Sequence, residues 1–247
     1  MSSLSLYDVA IGYGVKVVAS GISADIEPGQ LMCLIGKNGS GKSTLFKTIA
    51  CFLPALAGKI TIDGRDISEM KRSEMAQMVG VVLTERPESQ EMSVWEMVAM
   101  GRSPYTGFFG NMNAHDREVV QEAIDRVGIA TLAERKVSTL SDGERQKVMI
   151  AKALAQQTPV ILLDEPTAFL DFPSKVELMQ MLQNLARSEK KVILLSTHDL
   201  PIAFDMADMV WMFNEDEQPT RLQVLTPPIS RETVAAFVGQ AASKYIL

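Results

Sequence analysis

The sequence predicts an α/β fold in which a mainly parallel sheet is wrapped by helices, preceded by a small antiparallel β unit and interrupted by a helical insertion. Three observations carry this. Leu31-Met32-Cys33-Leu34-Ile35, Val79-Gly80-Val81-Val82-Leu83, Val160-Ile161-Leu162-Leu163 and Val192-Ile193-Leu194-Leu195 are continuous rather than alternating apolar runs, the pattern of strands covered on both faces. The first run opens into a glycine-rich loop, and the others end at Thr84-Glu85, Asp164-Glu165 and Ser196-Thr197-His198. Parallel sheets bind ligands beyond the carboxyl ends of their strands, so these four ends are expected to converge on one site. Over residues 86–155 such runs give way to helical spacing and loops.

In chain order, residues 4–30 alternate short apolar stretches with Gly12, Gly14, Gly21 and Pro28-Gly29, as a small antiparallel unit does. Tyr13 is the aromatic here that suits stacking on an adenine ring; the alternative is a half-buried strand tyrosine. Next comes Gly36-Lys37-Asn38-Gly39-Ser40-Gly41-Lys42-Ser43, of the form G-x-x-x-x-G-K-[ST], then Thr44-Leu45-Phe46-Lys47-Thr48-Ile49 with helical spacing. Strand, glycine loop and helix in that order are the context of a phosphate-binding P-loop. Glycines let backbone N–H groups crowd a polyphosphate, and the helix N-terminus adds partial positive charge. Lys42 suits the β- and γ-phosphates and the Ser43 hydroxyl suits Mg²⁺. An ordinary glycine turn with a solvated Lys42 is the weaker alternative, given the flanking pattern.

Lys59-Ile60-Thr61-Ile62-Asp63-Gly64 reads as strand plus turn. Further on, Pro104-Tyr105-Thr106-Gly107-Phe108-Phe109-Gly110-Asn111 is a loop with exposed aromatics, and a helix is expected from an N-cap at Asn113, with Asp116 in its first turn, to Gly128. Met92, Met97 and Met100 flank Trp95, which favours core packing over a docking surface. Residues 1–85 and 156–247 therefore read as an α/β core lobe and 86–155 as a helical lobe inserted into it, all within a single domain.

Bulk properties bound the function. A length of 247 residues with 47% apolar content supports one large domain or two small lobes. A net charge of −6 argues against a nucleic-acid surface. Cys33 and Cys51 lie in apolar surroundings and are expected to be reduced core cysteines of a cytosolic protein. Residues 1–8 carry neither a basic nor an apolar leader region, so no secretory signal is expected, and no apolar run has the length that spans a bilayer.

The chemistry concentrates at strand ends. Asp164 suits Mg²⁺, directly or through water, because that ion takes a few carboxylate and hydroxyl oxygens plus water. Glu165 suits a general base acting on the attacking water. His198, also at a strand end, suits a γ-phosphate contact. Leu140-Ser141-Asp142-Gly143-Glu144-Arg145-Gln146 has two compatible readings. One is a capping box, Ser141 with Glu144, opening a helix to Ala155; the other is an anion site at that helix N-terminus.

Together these residues resemble the ATPase subunit of an ATP-binding cassette (ABC) transporter, over essentially the whole chain. Tyr13 resembles the adenine-stacking aromatic, residues 36–43 the Walker A loop followed by Thr44, residues 140–146 the signature motif, Val160 to Glu165 the Walker B strand, Ala168-Phe169-Leu170-Asp171 the D-loop, and His198 the switch histidine. The resemblance implies a P-loop NTPase (RecA-like) core and Mg²⁺-dependent ATP hydrolysis through Lys42, Glu165 and His198. It also implies a head-to-tail homodimer in which Ser141 and Gly143 act on the partner's nucleotide. Transmembrane permease subunits and, indirectly, a substrate-binding protein would be partners, nucleic acid would not, and the place of work would be the cytoplasmic face of the cell membrane. Gly101-Arg102-Ser103-Pro104-Tyr105, Asp171-Phe172-Pro173, Ser196-Thr197-His198-Asp199-Leu200 and Ala207-Asp208-Met209-Val210-Trp211 resemble importers of iron-siderophore, haem and cobalamin complexes.

Two departures from the family stand out. Asp142 occupies the place of the first signature glycine, setting a carboxylate near the partner's phosphates. Thr84-Glu85 stands where the family has its Q-loop glutamine; strand alternation points the two to opposite faces, and Thr84 is expected to reach the metal through water. Residues 214–228 lack the family's glycine turn and have no assigned role. The competing classes are a non-transport cassette serving as nucleotide-gated clamp or assembly scaffold, and a simple P-loop kinase. Clamps bring coiled coils or basic surfaces; a kinase leaves residues 140–146 and His198 unexplained.

Overall fold

The computed structural model describes residues 3–83, 91–107, 110–214, 219–229 and 233. Alternating segments pair antiparallel and continuous apolar runs pair in parallel, so the strands sort into two sheets. In the first, β1 (Leu4–Tyr13) forms a hairpin with β2 (Lys16–Ile26). The chain then passes through β3 (Leu31–Ile35) and α1 (Lys42–Ile49) before β4 (Ala57–Ile62) returns antiparallel to β1. β4 turns into β5 (Arg65–Asp66) through Asp63 and Gly64, whose φ values of 53° and 74° suit the two-residue turn that matches strand twist.

Next come α2 (Arg72–Met78), β6 (Val79–Val82), α3 (Val94–Ala99), α4 (Ala114–Arg126) and α5 (Asp142–Ala155). The remainder is β7 (Val160–Leu163), α6 (Phe172–Glu189), β8 (Val192–Ser196), α7 (Leu200–Met206), β9 (Met209–Asn214) and β10 (Arg221–Leu225). The first sheet has the order β2-β1-β4-β5 and the second β10-β9-β3-β8-β7-β6.

The four expected runs are β3, β6, β7 and β8, and they pair in parallel. A further parallel strand, β9, lies on the other side of β3. Met209-Val210-Trp211-Met212-Phe213 is itself a continuous apolar run, with Trp211 and Phe213 fully buried. β10 pairs antiparallel with β9 at the sheet edge, which gives structure to part of the unassigned 214–228 stretch.

The parallel sheet is buried on both faces, as its sequence demands. Leu31, Cys33 and Ile35 of β3 join a cluster with residues of α3 to α6, while Met32 and Leu34 join a second cluster with α1 and the antiparallel sheet. Each fully buried aliphatic side chain of this kind contributes about 1.5–3 kcal/mol. The helices of the insertion start as their sequences predict. Asn113 caps α4 in a reciprocal box with Asp116, and Gly128 lies two residues beyond the helix with φ 71°. Met97 is buried and Met92 and Trp95 pack against the core, whereas Met100 is exposed.

One expectation is corrected. Cys33 is a core residue, and burial pushes its thiol well above the ordinary range. Cys51 is not: it lies exposed just past α1 in left-handed backbone (φ 57°), its Sγ 3.6 Å from the Ile67 carbonyl, because the helix has already ended there.

Candidate nucleotide site

The glycine loop is shaped by close approach. A Cβ on Gly36 would lie 2.5 Å from Ser40 Oγ, and at Gly41 (φ 110°) it would lie 2.9 Å from a methyl of Val18, so both positions need glycine. Gly41 is the N-cap of α1, which leaves the first N–H groups of that helix facing the loop. Lys42 is buried, and its ammonium donates to the carbonyls of Gly36 (2.7 Å) and Lys37 (3.1 Å), which holds it within the loop. Ser40 Oγ is buried with no hydrogen-bond partner among the described residues, while Lys37, Asn38 and Gly39 are exposed. Tyr13 is 52% exposed, and its hydroxyl lies 3.3 Å from Thr44 Oγ1, at the start of α1. Tyr13 ends strand β1 with its ring half exposed beside the loop.

The strand ends converge as expected. Ser43 Oγ donates to Asp164 Oδ2 at 2.6 Å across 121 residues of sequence. The Asp164 N–H donates to Val82 O (2.8 Å) and the Thr197 N–H to Leu34 O (3.1 Å), which ties β7 to β6 and β8 to β3 at the site. Glu165 has φ 52°, and its carboxylate meets His198 Nε2 at 2.6 Å. A cleft of about 440 Å³ opens beside this pair, lined also by Thr167, Lys175, Thr197 and Asp199. The side chains fit the cofactors that the motifs imply. A hydroxyl and a carboxylate oxygen brought to 2.6 Å are hard donors suited to Mg²⁺. An orphaned buried hydroxyl and a helix N-terminus suit a polyphosphate.

Ser141 and Gly143 stand apart from this cluster, at the start of α5. Ser141 is the N-cap, and its hydroxyl and N–H exchange hydrogen bonds with Glu144. That backbone N–H, followed by the hydroxyl, holds the Glu144 carboxyl below its usual value. A Cβ on Gly143 would approach the Leu170 side chain at 3.2 Å and Phe169 O at 3.3 Å, so α5 abuts the D-loop segment. The carboxylate of Asp142 is met by Arg145 at 2.6 Å, so its charge is countered within one helical turn. Thr84 and Glu85 lie outside the described residues.

Two contacts were not read from the sequence. Ser196 Oγ donates to Asp164 Oδ1 at 2.6 Å and accepts the N–H of Glu165 at 2.9 Å. Lys175 of α6 pairs with Asp199 at 2.9 Å, which pins the segment after His198. The only sequence signal for Ser196 is a small polar residue ending a wholly apolar strand.

Known proteins share these features. Residues 19–168 match the family model described as ABC transporter. An uncharacterised ABC transporter ATP-binding protein of Methanocaldococcus jannaschii is 42% identical over 205 residues, 83% of this chain and 71% of that protein. The iron(3+)-hydroxamate import ATP-binding protein of Bacillus subtilis is 36% identical over 236 residues, covering 94% and 87%. Among solved structures, an inward-facing metal-chelate-type ABC transporter aligns with a TM-score of 0.81 and 26% identity, over 96% of this chain and 89% of that one. Cassettes of this family dimerise and work with membrane permease subunits. With a P-loop, strand-end carboxylates and a capped signature helix in one fold, the chain belongs to the ABC transporter family, as an ATP-binding subunit that hydrolyses ATP.

Proposed function

We propose that this subunit powers import of a metal chelate of the iron-siderophore, haem or cobalamin kind, as a homodimer docked on separate permease subunits fed by a substrate-binding protein. The observation that carries the catalytic part is the chain Ser43–Asp164–Ser196–Glu165–His198, which joins the ends of β7 and β8 to the start of α1. The cargo class rests on similarity to the hydroxamate and metal-chelate transporters, and this favours import over the clamp and scaffold readings. The contact of His198 with Glu165 favours an ABC ATPase over a simple kinase.

In this reading Tyr13 stacks on the adenine, while Lys42, the backbone of residues 36–41 and Thr44 hold the phosphates. Ser43 and Asp164, with Thr84 through a water, hold Mg²⁺, which would offset phosphate charge. Glu165 accepts a proton from the attacking water, and His198 holds that carboxylate and contacts the γ-phosphate. Ser141 and Gly143 complete the partner's site, with 86–155 serving as the signature lobe on the α/β core of 1–85 and 156–247.

Among the described residues no helix is long and apolar enough to cross a membrane, which suits a subunit peripheral on the cytoplasmic face. A groove of about 590 Å³ is lined by Phe52, Met70, Arg72, Met75, Lys152 and Gln156. Burial pushes the Lys152 ammonium down from its ordinary pKa, and no carboxylate among the described residues pairs with it.

Glu165→Gln tests the catalytic reading. Turnover is expected to fall about 10²–10⁴-fold while ATP binding persists, and size-exclusion chromatography with ATP is expected to show an accumulated dimer. Wild-type turnover would remove Glu165 from its role. Co-purification with a polytopic membrane protein tests the import reading.

A further inference from the structure

Ser196 ends β8, a strand otherwise made of Val192-Ile193-Leu194-Leu195, and it is fully buried. A buried hydroxyl in such a run costs free energy unless it is hydrogen-bonded. This one makes two bonds, to consecutive residues with different proposed tasks. By donating to Asp164 Oδ1 it fixes that carboxylate, whose other oxygen, Oδ2, accepts from Ser43. By accepting the Glu165 N–H it holds a peptide whose φ of 52° a non-glycine residue keeps only when its surroundings enforce it. From that backbone the Glu165 side chain reaches His198.

We infer that Ser196 is a positioning residue for ATP hydrolysis, orienting the metal-facing oxygen of Asp164 and, with the same hydroxyl, the backbone that aims Glu165. The inference rests on the roles given above to Asp164 and Glu165. Without the hydroxyl, a hydrogen bond to a charged group is lost and an N–H is left unpaired, a loss of about tenfold or more.

The test uses the full chain with Ser196→Thr and Ser196→Val, which share a shape and differ in the hydroxyl, plus Ser196→Ala, which adds no bulk. Two quantities are measured. One is kcat and KM for ATP across a Mg²⁺ titration; the other is the factor by which Mg²⁺ tightens binding of a non-hydrolysable ATP analogue, by calorimetry. Ser196→Thr is expected to stay within about twofold of the parent chain. Ser196→Val and Ser196→Ala are expected to lose about tenfold in kcat, with a smaller change in KM, and roughly three- to tenfold in the Mg²⁺ effect on binding.

Ser196→Ala matching the parent chain, or Ser196→Thr falling together with Ser196→Val, overturns the inference. So does a drop in thermal stability with unchanged Mg²⁺ dependence, which a merely structural hydroxyl would give. Asp164→Asn, measured alongside, separates the two levels. If it keeps the parent Mg²⁺ dependence, the metal assignment fails and the inference with it. If it loses that dependence while Ser196→Ala does not, Ser196 alone fails.

Discussion

At the scale of single residues, the site depends on groups that few substitutions can imitate. Gly36 leaves no room for a Cβ against Ser40, and Lys42 is both buried and held by loop carbonyls, so the loop's shape is held by its own contacts. Tyr13 contributes differently: its ring is exposed, and its hydroxyl touches Thr44 at a distance marginal for a strong bond. Its value should therefore lie in the ring. Stacking of a base on an aromatic ring is worth about 1–3 kcal/mol. Tyr13→Ala is expected to weaken ATP binding roughly 5- to 150-fold by equilibrium titration, and Tyr13→Phe to leave it near the starting value. Equal loss in both would shift the role to the hydroxyl.

At the scale of elements, α5 is proposed to serve the partner's nucleotide through its N-terminus. Its N-terminus presents Ser141 and Gly143, away from the chain's own P-loop cluster. A Lys42→Ala chain mixed with a Ser141→Arg chain should then regain ATPase activity that neither has alone. Half the dimers in an equal mixture are mixed, and each keeps one of two composite sites, so about a quarter of the parent rate is expected. No recovery, with mixed dimers demonstrated, would refute the shared site.

Toward its other end, α5 places Lys152 in the groove. Its folded pKa lies below 10.5, so its protonated form opposes folding at neutral pH, and stability from this group rises as pH climbs through that window. Lys152→Met is thus expected to hold or slightly raise the Tm of the isolated chain, and a clear drop in Tm would overturn that expectation.

For the molecule as a whole, acid should be the destabilising direction. The Asp116 carboxyl is held below its ordinary value first by the Asn113 N–H and then by Arg102, Glu144 by Ser141, and Asp171 by Ser174. A depressed carboxyl contributes stability that is present above its unfolded pKa, 3.8 for aspartate and 4.5 for glutamate, and is lost as pH falls through the lower folded value. Thermal melts should change little from pH 7 to 5 on account of these groups and decline steeply below about pH 4.5. Asp116→Asn should flatten that decline, since Asp116 is buried and also joins Arg102 of the insertion at 2.9 Å.

What local chemistry dictates was legible in the chain. Continuous apolarity separated β3, β6, β7 and β8 from the alternating N-terminal strands; Ser141 with Glu144 and Asn113 with Asp116 marked helix starts; G-x-x-x-x-G-K-S marked the phosphate loop. Each signal lies within a few residues, where spacing and backbone preference act directly. The fifth parallel strand, Met209–Asn214, had the same apolar signature, but its place beside β3 is a matter of sheet order. That Cys51 falls outside the core, and that Ser196, 32 residues beyond Asp164, bonds it and Glu165 together, follow from long-range packing. The last is set by the register of β8 against β7, and a register is chosen by the packing of both sheet faces at once, which no short stretch of chain contains.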